Sequence, residues 1–497
     1  MRALLNSAAR LRYPHHPHCL AFPRLLHEQV PKLSDAQRKT IYALSTPPGK
    51  AGVAVVRVSG PDALQVWHKV VKRRQLREPN PWRMERCQIV HPNTGDALDD
   101  GLAVFFRAPK SFTTEDVLEL HIHSGRAIIA SVLAALSQLP YCRPAEPGEF
   151  TRRAFLGGRL DLTQVEGLKD LVDAETEGQR RMALAAAGGA TRARFDQLRA
   201  DIIRCLAKIE ALIDFSEGED IEEGVYEDAR EDAFHILTTI QSYLGDNRRG
   251  QIMRSGVRLT IFGPPNAGKS SLLNFLAQRD AAIVTPVPGT TRDILELSLD
   301  IGGMPVIISD TAGLRTTDDV VEQIGVQRAR RAIEAADIAL CVVSCQDLDL
   351  NGGDVSLPSS VKTLVDDNTF VLLNKIDLFN GDASQLRTGK HRWTTSLKTG
   401  AGTKEFLAGF ADALKTKYSL DDSATSPHAP VITHARHRVH LESAAGFIEA
   451  FLQTTADDVV IGAEELRYAA RAVGKVSGRI DVEDILDSLF RDFCIGK

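Results

Sequence analysis

Hydrophobic and polar positions change period several times along this 497-residue chain. Phe195, Leu198, Ile202, Cys205, Ile209 and Leu212 recur at spacings of three and four, and so do Leu441, Ala445, Ile448 and Leu452. That repeat predicts helices that each bury one face in a core. Nearer the start, "GVAVVRVSG" and "VLELHIH" alternate and are broken by Pro and Gly, which predicts half-buried strands. In the middle, "VRLTIF" alternates from Val257 to Phe262, runs into a glycine-rich loop and continues as an apolar-periodic segment. This predicts strand, loop and helix in succession. "MPVIISD" and "TFVLLNKID" predict two further buried strands.

These periods predict an α/β plus all-α fold. An α/β domain spans 41–158, a second α/β unit spans 251–417, and the helical stretches 159–250 and 418–497 form one domain into which that unit is inserted. With 43% hydrophobic and 25% charged residues, the chain has enough apolar material for several cores. No apolar run approaches the roughly 18 residues of a membrane span.

A net charge of -5 means that a nucleic-acid partner would have to be held by local basic patches. Seven cysteines are scattered without a C-x-x-C pair or zinc spacing, the pattern of reduced and mostly buried thiols. Residues 1–40 carry Arg2, Arg10, Arg12 and Arg24 with no acid before Glu28, and are expected to be a mitochondrial transit peptide. The chain closes on "CIGK". A prenylation signal normally ends in Ser, Met, Gln, Ala, Leu or Phe, and Lys497 does not fit.

"GPPNAGKSS" has the spacing G-x-x-x-x-G-K-[ST] between a strand and a helix. Asn266, Ala267, Gly268, Lys269, Ser270 and Ser271 are therefore expected to cradle phosphates. Backbone N–H groups close on the β-phosphate, Lys269 neutralises charge and Ser270 ligates Mg²⁺. "DTAG" supplies Asp310 to a water on Mg²⁺, and Thr311, Ala312 and Gly313 to a γ-phosphate; "PGTTRD" supplies Thr290 and Thr291, with Thr291 the expected Mg²⁺ ligand. "NKID" brings Asn374, Lys375 and Asp377, whose carboxylate can accept both N1–H and N2–H of guanine. Ser396, Leu397 and Lys398 complete the base pocket, so the expected nucleotide is GTP in a Ras-like domain. Leu314 stands where Ras-like enzymes keep a water-orienting Gln, so hydrolysis needs other help.

"TPPGKAGVAVVRVSG", "APKSFTTEDVLEL", "PGEFTRRAFLGGRLDLTQVEG", "GPPNAGKSSLLN", "DTAGLR", "GRIDVEDILD" and the terminal "FCIGK" together resemble the MnmE (TrmE) family of tRNA-modification GTPases, in a mitochondrial form. The resemblance covers about residues 41–497 and implies a homodimer. With an MnmG/GidA-type FAD-dependent partner, such a dimer uses a one-carbon unit of 5-formyl- or methylene-tetrahydrofolate to modify C5 of the wobble uridine of mitochondrial tRNA in the matrix. By that resemblance Arg57, Glu119, Arg159 and Lys497 contact the folate, and Cys494 is a nucleophile or a positioning group. Asn266, Thr285, Val287 and Thr290 would hold K⁺, and Glu322 would orient the attacking water. The family's F-L-N-x-[KR] segment reads "FLGGR" here, with Gly157 in place of Asn. His434, Arg436 and His437 of "VITHARH" are expected to be structural. Two other classes share parts of this pattern: a ribosome-assembly GTPase without modification chemistry, and a folate enzyme with a regulatory GTPase. Neither needs the whole set.

Overall fold

The computed structural model describes residues 39–73, 78–214, 224–246, 249–278, 282–286, 295–308, 330–351, 354–366, 369–379, 386, 391–418, 430–479 and 496. It begins with a seven-stranded sheet. In chain order its elements are β1 (Thr40–Leu44), β2 (Ala54–Ser59), helix α1 (Ala63–Val70), β3 (Val71–Lys72), β4 (Glu85–Val90), β5 (Ala97–Phe106), β6 (Val117–Ile122), α2 (Arg126–Ser137) and β7 (Cys142–Pro144). The strands lie in the order β3-β4-β5-β6-β2-β1-β7, antiparallel except for β1 with β7.

Strand alternation decides which side chains meet the helices. Tyr42, Val56, Val58, Leu118 and Leu120 share a core with Trp67 of α1 and Leu136 of α2. The other face is covered less completely: Ile41 and Ala43 pack on Phe150 of helix α3 (Glu149–Leu156). Polar side chains of β2 and β6 alternate onto that second face.

Helices α4 (Leu162–Asp173), α5 (Glu177–Ala187), α6 (Ala190–Asp214), α7 (Val225–Leu244) and α8 (Arg249–Ser255) follow. Asp161 with Gln164, and Thr176 with Gln179, close capping boxes that start α4 and α5. The chain then builds a second seven-stranded sheet from β8 (Val257–Phe262), helix α9 (Lys269–Ala277), β9 (Ala282–Pro286), β10 (Leu295–Ile301), β11 (Met304–Ile308) and β12 (Ile338–Ser344). After the hairpin β13 (Asp349–Asn351) and β14 (Asp354–Ser356) it adds β15 (Phe370–Asn374), β16 (Arg392–Thr394) and helix α10 (Thr403–Lys417). The order is β16-β15-β12-β8-β11-β10-β9, parallel except where β10 meets β9 and β11. All seven residues of "IALCVVS" in β12 are buried at the centre of this sheet, between β8 and β15. No motif marks this strand in the sequence.

Two further helices, α11 (Ala435–Gln453) and α12 (Val459–Ser477), return to α6 and α7. Phe195, Ile202 and Ile209 of α6 share one core with Leu441, Ile448 and Phe451 of α11 and with Leu466 and Val473 of α12. The two helical stripes read in the sequence therefore bury each other, across the inserted sheet. Among the described residues, no helix is long and apolar enough to cross a membrane.

Candidate functional site

The nucleotide loop is shaped by close backbone contacts. Gly263 has φ +149, and a Cβ there would lie 2.0 Å from the Val342 carbonyl oxygen of β12. Gly268 has φ +104, and a Cβ would lie 2.1 Å from Asn374 Nδ2. Only glycine fits either place. Asn266 takes φ +59, a left-handed conformation that Asn tolerates. Lys269, Ser270 and Ser271 form the first turn of α9, where N–H groups and the helix dipole favour an anion. Lys269 Nζ donates to the carbonyls of Gly263 (3.0 Å) and Pro264 (2.8 Å), so its charge is held over the loop.

Asn374 ties the loop to the base pocket. Its Nδ2 donates to the Ala267 carbonyl at 2.9 Å, and its Oδ1 accepts from Leu397 N at 3.2 Å. At 3% exposure it has no solvent to replace these partners. Lys375 has φ +63 and leads into the short turn Ile376–Leu378, which leaves Asp377 exposed. Ser396 is buried and Lys398 exposed on the adjoining loop. Of the predicted phosphate and base contacts, the structure thus brings together those from Asn266 to Ser271, from Asn374 to Asp377 and from Ser396 to Lys398. Val287, Thr290, Thr291, Asp310, Thr311, Ala312, Gly313, Leu314, Glu322, Cys494 and Lys497 lie outside the described residues, as does the expected leader, and Thr285 is described in its backbone alone.

A second polar site lies on the open face of the first sheet. Register puts two rows of neighbours across it: Ala43, Arg57, Glu119 and Val104 in one, and Val55, His121 and Leu102 in the next. Arg57 directs Nε and Nη2 to Glu119 Oε1, both at 2.9 Å, and its guanidinium lies 5.2 Å from the ring centre of Phe112 and 5.7 Å from that of Phe150. Glu119 Oε2 faces His121 Nε2 at 3.7 Å, just beyond hydrogen-bond reach, and that buried nitrogen makes no hydrogen bond. Burial raises the Glu119 pKa, but His121 and Arg57 outweigh it and hold the carboxyl below its ordinary range. A charged carboxylate with one uncommitted edge, beside aromatic rings, suits a flat ligand with adjacent N–H donors.

The far end of the chain reaches the same sheet. Gly496 is buried, and its carbonyl accepts from Ser45 Oγ at 2.9 Å. Arg159 is exposed and donates to the Ser111 carbonyl at 2.7 Å, which pins the loop bearing Phe112; its described contact is with this loop and not with Glu119. Gly157, the departure from the family pattern, abuts Thr114: a Cβ would come within 2.1 Å of Thr114 Oγ1. Sequence reading had singled out neither His121 nor Ser45. The signal for His121 was its i+2 spacing from Glu119 on one strand, which puts both on one face.

A third cluster joins α4 to α11 and α8. Glu166 accepts Arg436 Nε on Oε1 and Arg436 Nη2 on Oε2, the latter at 2.8 Å, and His437 Nε2 lies 2.9 Å from the same Oε2. Burial opposes its charge, yet His437 and Arg436 hold the Glu166 pKa well below the carboxylate range. One turn on, Asp170 meets His434 at 3.0 Å and Arg254 at 2.8 Å. His434, Arg436 and His437 are thus structural, and Glu166 and Asp170 are the partners that sequence reading missed. Cys87, Cys205, Cys341 and Cys345 are buried and free, with pKa values pushed up to about 11 or 12 by burial. That makes them inert packing residues. Among the described residues, no group of three or more His, Cys, Asp or Glu side chains could hold a metal ion.

Comparison with known proteins gives two family matches: "GTP-binding protein TrmE N-terminus" over residues 40–159 and "MnmE helical domain" over residues 162–494. The tRNA modification GTPase MnmE of Parvibaculum lavamentivorans is 46% identical over 463 residues, covering 92% of this chain and 100% of its own. The mitochondrial 5-taurinomethyluridine-tRNA synthase subunit GTPB3 is 44% identical over 473 residues in Danio rerio and 43% over 469 in Rattus norvegicus. Each alignment with GTPB3 covers 92% of this chain and 93% of the relative.

Proposed function

This chain belongs to the MnmE (TrmE) family of tRNA-modification GTPases, and on that premise we propose that it hydrolyses GTP to drive a folate-dependent change at C5 of the wobble uridine of mitochondrial tRNAs. Mitochondrial location is supported by the names of its GTPB3 relatives, and the matrix is where such tRNAs are used. The working unit is a homodimer with an MnmG/GidA-type FAD-dependent partner. The boundaries at 41–158, 251–417 and 418–497 mark the folate, GTPase and second helical segments, with 159–250 as the first.

Mg²⁺ on Ser270 and Thr291 and K⁺ on Asn266, with oxygens of Thr285, Val287 and Thr290, would offset charge on the phosphates, in place of a missing Gln. Asp310, Thr311, Ala312 and Gly313 would respond to the γ-phosphate, and Glu322 would orient the water.

The observation that carries the folate reading is the open sheet face, where Arg57 pairs with Glu119 beside a buried His121 nitrogen without a hydrogen bond, and Gly496 is held on Ser45 at the adjoining strand end. These residues fit 5-formyl- or methylene-tetrahydrofolate. The free edge of Glu119 accepts the paired N–H groups of an aminopyrimidine, and Arg57 keeps that carboxylate charged and oriented. The bound folate would supply the one-carbon unit. Arg159 holds the Phe112 loop, and Lys497 and Cys494 would close the site from the C-terminus. A ribosome-assembly GTPase has no use for this face.

The deciding experiment is nucleoside analysis of mitochondrial tRNA from cells lacking the chain, re-expressing either wild type or Glu119→Gln. Wild type restores the C5-modified wobble uridine and Glu119→Gln does not. Unaltered wobble uridine in the null cells would overturn the reading.

A further inference from the structure

Gly496 and Ser45 are 451 residues apart in sequence and share a hydrogen bond of 2.9 Å. Gly496 has φ +98, where a side chain is strained, and a Cβ would lie 2.1 Å from the Leu44 carbonyl oxygen and 2.8 Å from Ser45 Cα. The seat therefore takes glycine alone. Its floor is rigid, because Ser45 N donates to the Val55 carbonyl at 2.7 Å and so extends the ladder of β1 on β2. Leu44 pairs with Val56, and Ala43 with Arg57. The seat is thus at the strand end nearest the Arg57–Glu119 pair, on the row that holds His121.

We propose that Ser45, with the Leu44 carbonyl, is a positioning residue: it latches Gly496 at the strand end beside Arg57 and Glu119, and ligand binding on that face depends on the latch. A hydroxyl donor on a strand end suits this task better than a charge. It fixes direction without adding a second anion or cation beside the Arg57–Glu119 pair. The proposal rests on the folate reading above.

The test measures two things on full-length protein: the rate at which a basic-residue carboxypeptidase removes Lys497, followed by mass spectrometry, and the affinity for 5-formyltetrahydrofolate by equilibrium dialysis. In Ser45→Ala, Lys497 release should quicken and folate affinity fall, each by about 5- to 10-fold, the effect of one hydrogen bond. Gly496→Ala should do more, and Ser45→Thr, which keeps the hydroxyl, should restore both. Equal unfolding temperatures of Ser45→Ala and Ser45→Thr exclude a general loss of fold. Faster release with unchanged folate affinity would overturn the positioning role. So would a Ser45→Ala protein that matches wild type in both measurements. Absence of folate binding by wild type would overturn the folate reading instead, and the release rates would still decide the latch.

Discussion

Asp170 on α4 accepts the Arg254 Nε proton at 2.8 Å, and this contact bridges the helical core and the segment that enters the nucleotide sheet. Arg254 lies in α8, two residues before Gly256 and three before the start of β8. The same carboxylate meets His434 at the start of α11, so it joins chain on both sides of the inserted sheet. Nearby, Gln179 Nε2 donates to the Arg254 carbonyl at 3.0 Å, and Gly178 N donates to the Gly303 carbonyl in the β10–β11 turn at 3.2 Å. The junction is therefore held by directional polar contacts and by the close approach of Gly178 to Gly303, where a Cβ on Gly178 would lie 2.4 Å from the Gly303 carbonyl oxygen.

Replacing that carboxylate should loosen the junction before it unfolds the protein. Burial pushes the Asp170 pKa up, but His434 and Arg254 hold it below its usual range, so the charge is part of the contact. Asp170→Asn should cost about 1–3 kcal/mol of stability. It should also speed hydrogen exchange at the amides of Arg254 and Ser255. Exchange there indistinguishable from wild type would show that other contacts carry the junction.

Acid should weaken the fold through His437. It is fully buried, and burial is the main cause that lowers its pKa from 6.5 to about 4. Nε2 faces Glu166 while Nδ1 has no partner, which suits a neutral ring whose second protonation would bury an unpaired N–H. Between those two values the unfolded chain binds more protons than the folded one, so stability is present above about pH 6.5 and drains as pH falls towards about 4. The loss is on the order of 3 kcal/mol. Glu166, with a depressed pKa, adds to it only below the ordinary carboxylate range. Urea midpoints across this window should slope less for His437→Gln, which keeps a donor but cannot titrate; equal slopes would assign the acid sensitivity elsewhere.

Base choice should follow Asp377. Asp377→Asn exchanges an acceptor pair for an amide that suits the C2 carbonyl of xanthine, so GTP affinity should fall by about 100-fold or more while XTP gains. Competition binding with the two nucleotides reads this directly. Unchanged GTP preference would remove Asp377 from the pocket.

Cation dependence should follow Asn266, exposed at the crest of the loop with φ +59. GTP turnover is expected to be faster in K⁺ than in Na⁺ at matched ionic strength, and Asn266→Ala should erase the difference. Equal turnover of wild type in both salts would dismiss the K⁺ site.

Arg57→Lys tests the fork on the sheet face. Lysine keeps a positive charge but loses the planar pair of donors to Glu119 and the stacking on Phe112 and Phe150. Affinity for 5-formyltetrahydrofolate should drop about 10-fold, with GTP affinity as the control. Retained folate affinity would reduce Arg57 to a charge.

Parts whose chemistry is local were legible from the residues alone. A P-loop is legible because its glycines, lysine and serine act within one strand–loop–helix unit, and Gly263 and Gly268 stand where neighbouring atoms leave no room for a Cβ. The helical stripes of α6 and α11 were legible because period alone fixes which face is apolar. Tertiary structure decided what period cannot encode, namely which face meets which. The central strand β12 had no motif, because a strand buried on both faces shows only continuous apolarity. The partners of His434, Arg436 and His437 lie more than 260 residues away on α4. Arg57 and Glu119 became one site only when β6 was set in register with β2, and Ser45 acquired a role only when Gly496 arrived on it from the other end of the chain. Such contacts depend on register and docking, which are set by the packing of whole elements and leave no spacing in the sequence to read.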